Sequence, residues 1–459
     1  MQSTLDVPRN LAHVNSSAEH RRNHSPFVHF LPTEIIGDIF ARVIRSYPDH
    51  AGTSWMNLRP PMTLSSVCVY WRTVALSMPA LWSEISIYSP LPRYIPSIEL
   101  FLERARDHPL TLYLHQSKVL TESEYQATES ILRLFVSGAR KWKSIDFFLS
   151  TTHSSLFILP QVLPILESAK VSLDTWNNDC EMVMSRDDSV WTALHSSPVL
   201  REVNWGKTYK ERMPPNVPWH QLTRIESLPE MPISTLLDIL ALCSRIEHLE
   251  VHTLSSSDTP LQLPIPVVLG NLRCLKLNIG VDSDSADFFD NVDLPVLENL
   301  TIIHDYDFPF NHEASALNDC LLRSGTSVLK TFSLCSAEPS GQDTLDYVFA
   351  PVLLSVPDLQ LSLSGIQKPD EKDSHFTVTF ASKEDQIYSI DICANYPVLD
   401  HLPDLLPQIF ASKIAHHLQR DPLKEASICL TTTLSLSENG CLERICRENN
   451  IVFTVSHVV

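Results

Sequence analysis

"LRCLKLNIG", residues 272–280, sets Leu272, Leu275 and Leu277 at the first, fourth and sixth places of a short run, with Lys276 between the last two. In an extended chain successive side chains point to opposite faces, so Leu275 and Leu277 share one face and Lys276 takes the other. The same apolar-x-x-apolar-x-apolar spacing starts at Trp142, Leu166, Leu200, Leu222, Ile246, Leu297, Leu329 and Val356, at intervals of 22 to 34 residues. Ser227 is the one polar residue at a template position, and Ala169 is the weakest apolar one. The residue between the last two template positions is polar every time: Asp146, Lys170, Asn204, Glu226, Glu250, Lys276, Thr301, Ser333 and Gln360. A pattern recurring at this interval describes stacked units, each with a short strand that is apolar on one side and wet on the other.

The stretches between these strands have room for helices. "ESILRLFVSGA" precedes "KSIDFFLS", "ISTLLDILALC" precedes "IEHLEVHT", and "ASALNDCLLRSG" precedes "VLKTFSLC". Upstream, "IPSIELFLERAR" (95–106) reads as an amphipathic helix and "PLTLYLH" (109–115) as a strand, while "CLERICRENNIVFTVSHVV" (441–459) supplies a closing helix and strand. If the units stack, the nine polar residues line one continuous face, and Trp205, at a last template position, points inside. The mixed signs along that face suit a protein or peptide partner better than nucleic acid.

The front of the chain has a different period. In "LPTEIIGDIFARVI" (31–44) the apolar residues fall at helical spacing, with Pro32 well placed in a first turn. A loop rich in proline follows (46–61). "TLSSVCVYWRTVAL" (63–76) again has helical spacing, and Pro79 stops or bends it. "ALWSEISIY" (80–88) ends in strand-like alternation. Residues 1–27 lack periodicity and are expected to be disordered. Two short helices and a loop cannot cover both of their faces, so the front segment leans on a partner or on the next domain.

Composition bounds the function. The 459 residues include 35 basic and 54 acidic side chains, a net charge of −19, which makes a free polyanion a poor partner for the whole surface. No run approaches the roughly 20 apolar residues of a membrane helix, and no apolar signal core opens the chain. Ten scattered cysteines without a CxxC read as reduced thiols of the cytoplasm or nucleus. There is no GxGxxG, no phosphate loop and no GxSxG elbow. "HEASA" (312–316) lacks the second His of a zinc helix. His416–His417 and the acidic pairs Asp187–Asp188 and Glu122/Glu124 read as solvated. No catalytic, metal or cofactor site is expected.

The nine-fold template resembles leucine-rich repeats over about 140–365, and less closely over 90–140 and 365–459. It departs from the usual repeat three positions after the last template leucine, where an Asn or Cys is expected: after Leu277, Gly280 stands there. An irregular leucine-rich-repeat-like solenoid is expected over 89–459. Residues 28–88 resemble an F-box, on "LPTEIIGDIF", "VCVYWR" and "PALW", and the whole chain is similar to a large class of fungal F-box proteins. That resemblance implies a small all-α front domain that binds the Skp adaptor and, through it, a cullin scaffold. It also implies a repeat domain that captures a protein substrate, so the chain would be a non-catalytic subunit of a ubiquitin ligase. Leu31, Pro32, Ile35, Ile39, Leu64 and Val67 are then the adaptor-facing residues, with Trp71 and Trp82 holding the segment together. The alternative is a repeat scaffold whose front helices merely cap the array.

Overall fold

The recurring template residues build the sheet. The computed structural model describes residues 31–46, 59–117, 121–151, 153–173, 181–206, 209, 212–255, 263, 265–280, 285–304, 313–325, 329–336, 353–363, 374–383, 386–394, 402–417, 423–430 and 439–457. The expected tail, 1–27, and most of the 46–61 loop lie outside these. The architecture is mixed α/β, with a large, mostly parallel sheet and eleven α-helices among the described residues. Two compact units divide it, Met1–Trp142 and Lys143–Val459.

The first unit opens with three helices, α1 (Thr33–Ser46), α2 (Arg59–Val67) and α3 (Val69–Ser77). The helical run expected over 63–76 is therefore interrupted. Cys68 takes an extended conformation and caps α3, its Sγ accepting from the Trp71 amide at 3.4 Å. After Pro79–Trp82 comes strand β1 (Glu84–Tyr88), followed by α4 (Ile95–Ala105), β2 (Leu110–His115) and α5 (Glu122–Ser137). Strand β1 pairs in parallel with β2, Ile85 opposite Leu112 and Ile87 opposite Leu114. The segment expected to be an all-α domain to residue 88 thus closes on a strand whose partner lies beyond it. Trp82 is fully buried, donates Nε1–H to the Ala75 carbonyl at 2.8 Å and lies under the Arg104 guanidinium, 4.2 Å from the ring centroid. Helix α5 starts on a side-chain N-cap: Thr121 Oγ1 accepts from the Glu124 amide, while the Glu124 carboxylate accepts from the Ser117 amide at 2.8 Å in the preceding loop. Glu124 is buried by that role, contrary to the solvated reading.

The second unit carries β3 (Trp142–Leu149), which starts at its boundary, then β4 (Ser168–Leu173), α6 (Glu181–His195), β5 (Glu202–Asn204), β6 (Arg224–Leu228) and β7 (Met231–Pro232). It continues through α7 (Ile233–Leu242), β8 (His248–Ser255), β9 (Val267–Val268), β10 (Cys274–Ile279), α8 (Ala286–Asp290), β11 (Val292–Asp293) and β12 (Asn299–His304). Next come α9 (Glu313–Arg323), β13 (Thr331–Ser336), β14 (Asp358–Leu363), β15 (Ser374–Ser382) and β16 (Ile387–Ala394). Helix α10 (Leu402–His417), β17 (Leu423–Leu430), α11 (Asn439–Glu448) and β18 (Val452–His457) complete it. The sheet order in this unit is β3-β4-β5-β6-β8-β10-β12-β13-β14-β16-β15-β17-β18. Pairing is parallel except at β15, which is antiparallel to both β16 and β17. The closing helix and strand expected over 441–459 are α11 and β18.

Template residues form the inner face. Ile145, Phe147, Val203, Trp205, Leu249, Val251, Leu275, Leu277, Leu300, Ile302, Phe332 and Leu334 are all buried. Side chains at matching places on successive strands stack on one another, each worth roughly 1.5–3 kcal/mol once removed from water. The polar exception, Ser227, marks a bulge. Ile225 pairs with Leu249 and Leu228 with Val251, so Glu226 and Ser227 together face a single residue of β8. Ser227 has φ +56, and Leu228 takes the buried place that Ser227 was expected to hold. Gly206, also at φ +56, lets the chain pass Ser172: a Cβ there would come within 2.5 Å of the serine Cβ.

Candidate protein-interaction surfaces

Helix α1 is amphipathic in an incomplete way. Ile36 and Phe40 are buried, and Phe40 meets Trp71 edge to face at 5.0 Å. Ile35 and Ile39, one turn apart on the adjoining edge, stay 46% and 43% exposed. Pro32 is exposed and Leu31 half-buried. Val67, at the end of α2, is 56% exposed. Leu64 corrects the sequence reading: it is buried, at 8% exposure, because α2 turns that side toward its neighbours, and it is not available to a partner. Val69 was missed. It is 73% exposed, in the first turn of α3, directly after the break at Cys68. Met62 and Leu76 are exposed as well. Within the first unit, then, apolar side chains remain in water on all three front helices, where patterning alone gave only part of the set.

The nine polar template residues occupy one cross-strand row. Asp146 stands opposite Lys170, Lys170 opposite Asn204, and Asn204 opposite Glu226. Beyond the bulge, Glu250 is opposite Lys276, Lys276 opposite Thr301, Thr301 opposite Ser333, and Ser333 opposite Gln360. The row runs on to Asp391, which the sequence template did not reach. Because the sheet is parallel and in step, one phase assignment per strand places them all.

Four of the charges along the row, Lys170, Glu226, Glu250 and Lys276, are paired within the protein. Lys170 Nζ reaches across β5 to both oxygens of Glu226, at 2.9 and 2.8 Å. Arg224 Nε donates to the same carboxylate at 2.7 Å and Asn204 Nδ2 at 3.0 Å. Partial burial alone would raise the Glu226 carboxyl, but the hydrogen bonds from Lys170, Arg224 and Asn204 outweigh it and hold it down at about 2. Lys276 pairs with Glu250. His248 beside them is held below the ordinary imidazole value, first by burial and then by the positive charges of Arg224 and Lys170, against the pull of Glu226 and Glu250. A second charged row lies one position before the strands, where Glu298 accepts from Arg273 and, at 2.7 Å, from Lys330.

Other ionisable groups serve the interior. His195 Nε2 accepts from Trp205 Nε1 at 3.1 Å while Nδ1 lies 2.7 Å from the Pro215 carbonyl; burial lowers the imidazole to about 4, so it stays neutral. Asp188 accepts from Tyr209 and pairs with Arg212, and His417 is buried against the Tyr388 ring at 4.4 Å; neither is the freely solvated group expected. Lys413, on α10, is fully buried with Nζ 3.2 Å from the Val356 carbonyl and 5.3 Å from the centre of the Tyr388 ring. Among the described residues no cluster of three His, Cys, Asp or Glu side chains is placed to hold a metal, and no helix is long and apolar enough to cross a membrane. No protein-family model matches the sequence, and a search of curated proteins finds no match.

Proposed function

We propose that the chain is a substrate-receptor subunit of a Skp–cullin–F-box ubiquitin ligase, with an F-box-like front and an irregular leucine-rich-repeat-like body. The observation that supports this most is the exposed apolar edge of Ile35, Ile39 and Val67 beside a buried edge of Ile36 and Phe40. A helix that merely capped its own chain would bury the first edge too. Leu31, Pro32, Ile35, Ile39 and Val67, joined by Val69, form the adaptor face. The row from Asp146 to Gln360 forms the surface offered to a protein substrate. Such a receptor needs no reacting groups of its own; it raises the substrate's effective concentration at the conjugating enzyme's thioester.

The test is co-expression of the full chain with the Skp adaptor and gel filtration of the product. A stoichiometric complex that Ile35→Asp abolishes, without change in the circular dichroism spectrum, is the expected result. A chain that stays soluble alone and forms no complex would return the protein to the scaffold reading.

A further inference from the structure

The "VCVYWR" block, residues 67–72, contains Tyr70. Its hydroxyl donates to the Leu31 carbonyl at 3.0 Å, across 39 residues of sequence. Leu31 and Pro32 are where the chain enters α1, and the Pro32 carbonyl accepts the first-turn bond from the Ile36 amide at 3.2 Å. Two further contacts from the same stretch hold the body of α1: Trp71 against Phe40, and Met78 in the space left by Gly37, where a Cβ would lie 2.8 Å from the methionine sulfur. Neighbouring helical residues point about 100° apart, so a rotation of α1 by about that angle would exchange Ile36 for Ile35, or Phe40 for Ile39, at the surface, and a partial one would turn Ile35 and Ile39 out of register with the rest of the edge. Trp71 and Met78 set that rotation in mid-helix; Tyr70 sets it at the first turn, where Pro32 and Ile35 are displayed.

We infer that Tyr70 is a positioning residue for the adaptor face, tethering the start of α1 so that Leu31, Pro32 and Ile35 are presented as one preformed edge. This rests on the adaptor-binding reading above. Preforming that edge removes an ordering cost that would otherwise be met on binding. Tyr70→Phe deletes the tether and keeps the ring. With purified Skp adaptor as the probe and the full chain as the target, the variant should bind about three- to tenfold more weakly, the size of one lost neutral hydrogen bond. Its thermal midpoint should fall by no more than a few degrees, as one hydrogen bond dictates, and amide exchange over residues 33–37 should quicken. Wild-type affinity in Tyr70→Phe, with Ile35→Asp still unable to bind, overturns the tether alone. A fall in affinity accompanied by a drop in thermal midpoint of about 10 °C or more overturns it in favour of a purely structural role. Failure of the wild-type chain to bind the adaptor overturns both readings.

Discussion

Lys413 offers the sharpest test of the packing described for the second unit. Its ammonium is fully buried, and burial lowers it from 10.5 to about 7. For a basic group with a depressed native value, the charged form is what folding disfavours. The penalty is therefore absent above pH 10.5, grows as the pH falls toward 7, and is complete below that. At 1.36 kcal/mol per unit the full penalty is about 5 kcal/mol. Lys413→Met keeps the length and the apolar stem and removes the charge. It also forfeits the hydrogen bond to the Val356 carbonyl, worth about 1 kcal/mol, and the attraction to the Tyr388 ring, about 1 kcal/mol. The variant should thus be more stable than wild type by about 3 kcal/mol at pH 6, with the gap shrinking through pH 8 and 9 and changing sign near pH 10. Urea unfolding of both chains across that series measures it. A variant that is no more stable at pH 6, or a gap that ignores pH, would show that the amine is accommodated as a cation and would refute the argument.

Glu226 behaves in the opposite sense. Its native value is depressed to about 2, so the stability it lends is present above about pH 4.5 and is lost as the pH falls toward 2; Glu226→Gln should cost about 1–3 kcal/mol at pH 7 in a urea melt, and the difference should narrow steadily below pH 4.5. Ser227→Val would complete the apolar template on paper, yet should destabilise the protein by about 1 kcal/mol or more. The position needs φ +56, which a β-branched residue resists, and Leu228 already fills the inner site; a thermal midpoint at or above wild type would contradict the bulge.

The sheet was legible because its information is local. A two-residue alternation assigns each strand a face, and parallel strands in step convert nine separate assignments into one row. Trp205 could be placed inside for the same reason. The bulge was visible only as an irregularity, Ser227, whose meaning depends on the pairing with β8. The front helices were harder. Leu64 went astray because helical spacing gives a face but not what packs on it, and Val69 because one cysteine breaks the helix after Val67, a backbone event with no periodic signature. Glu124 and His417 looked solvated because their surroundings come from other segments: the Ser117 amide in one case and the Tyr388 ring in the other. The reversal at β15 lay beyond the range in which the template repeats.

The row of side chains on the parallel strands acts as a ruler. Its graduations are set by backbone hydrogen bonding at roughly 4.8 Å each. An extended peptide lying along it would show same-side residues every 6.6 Å or so, twice the rise of about 3.3 Å per residue. The two scales agree only at about every fourth strand. A straight peptide would therefore satisfy scattered graduations and miss those between, whereas a folded surface can match all of them at once.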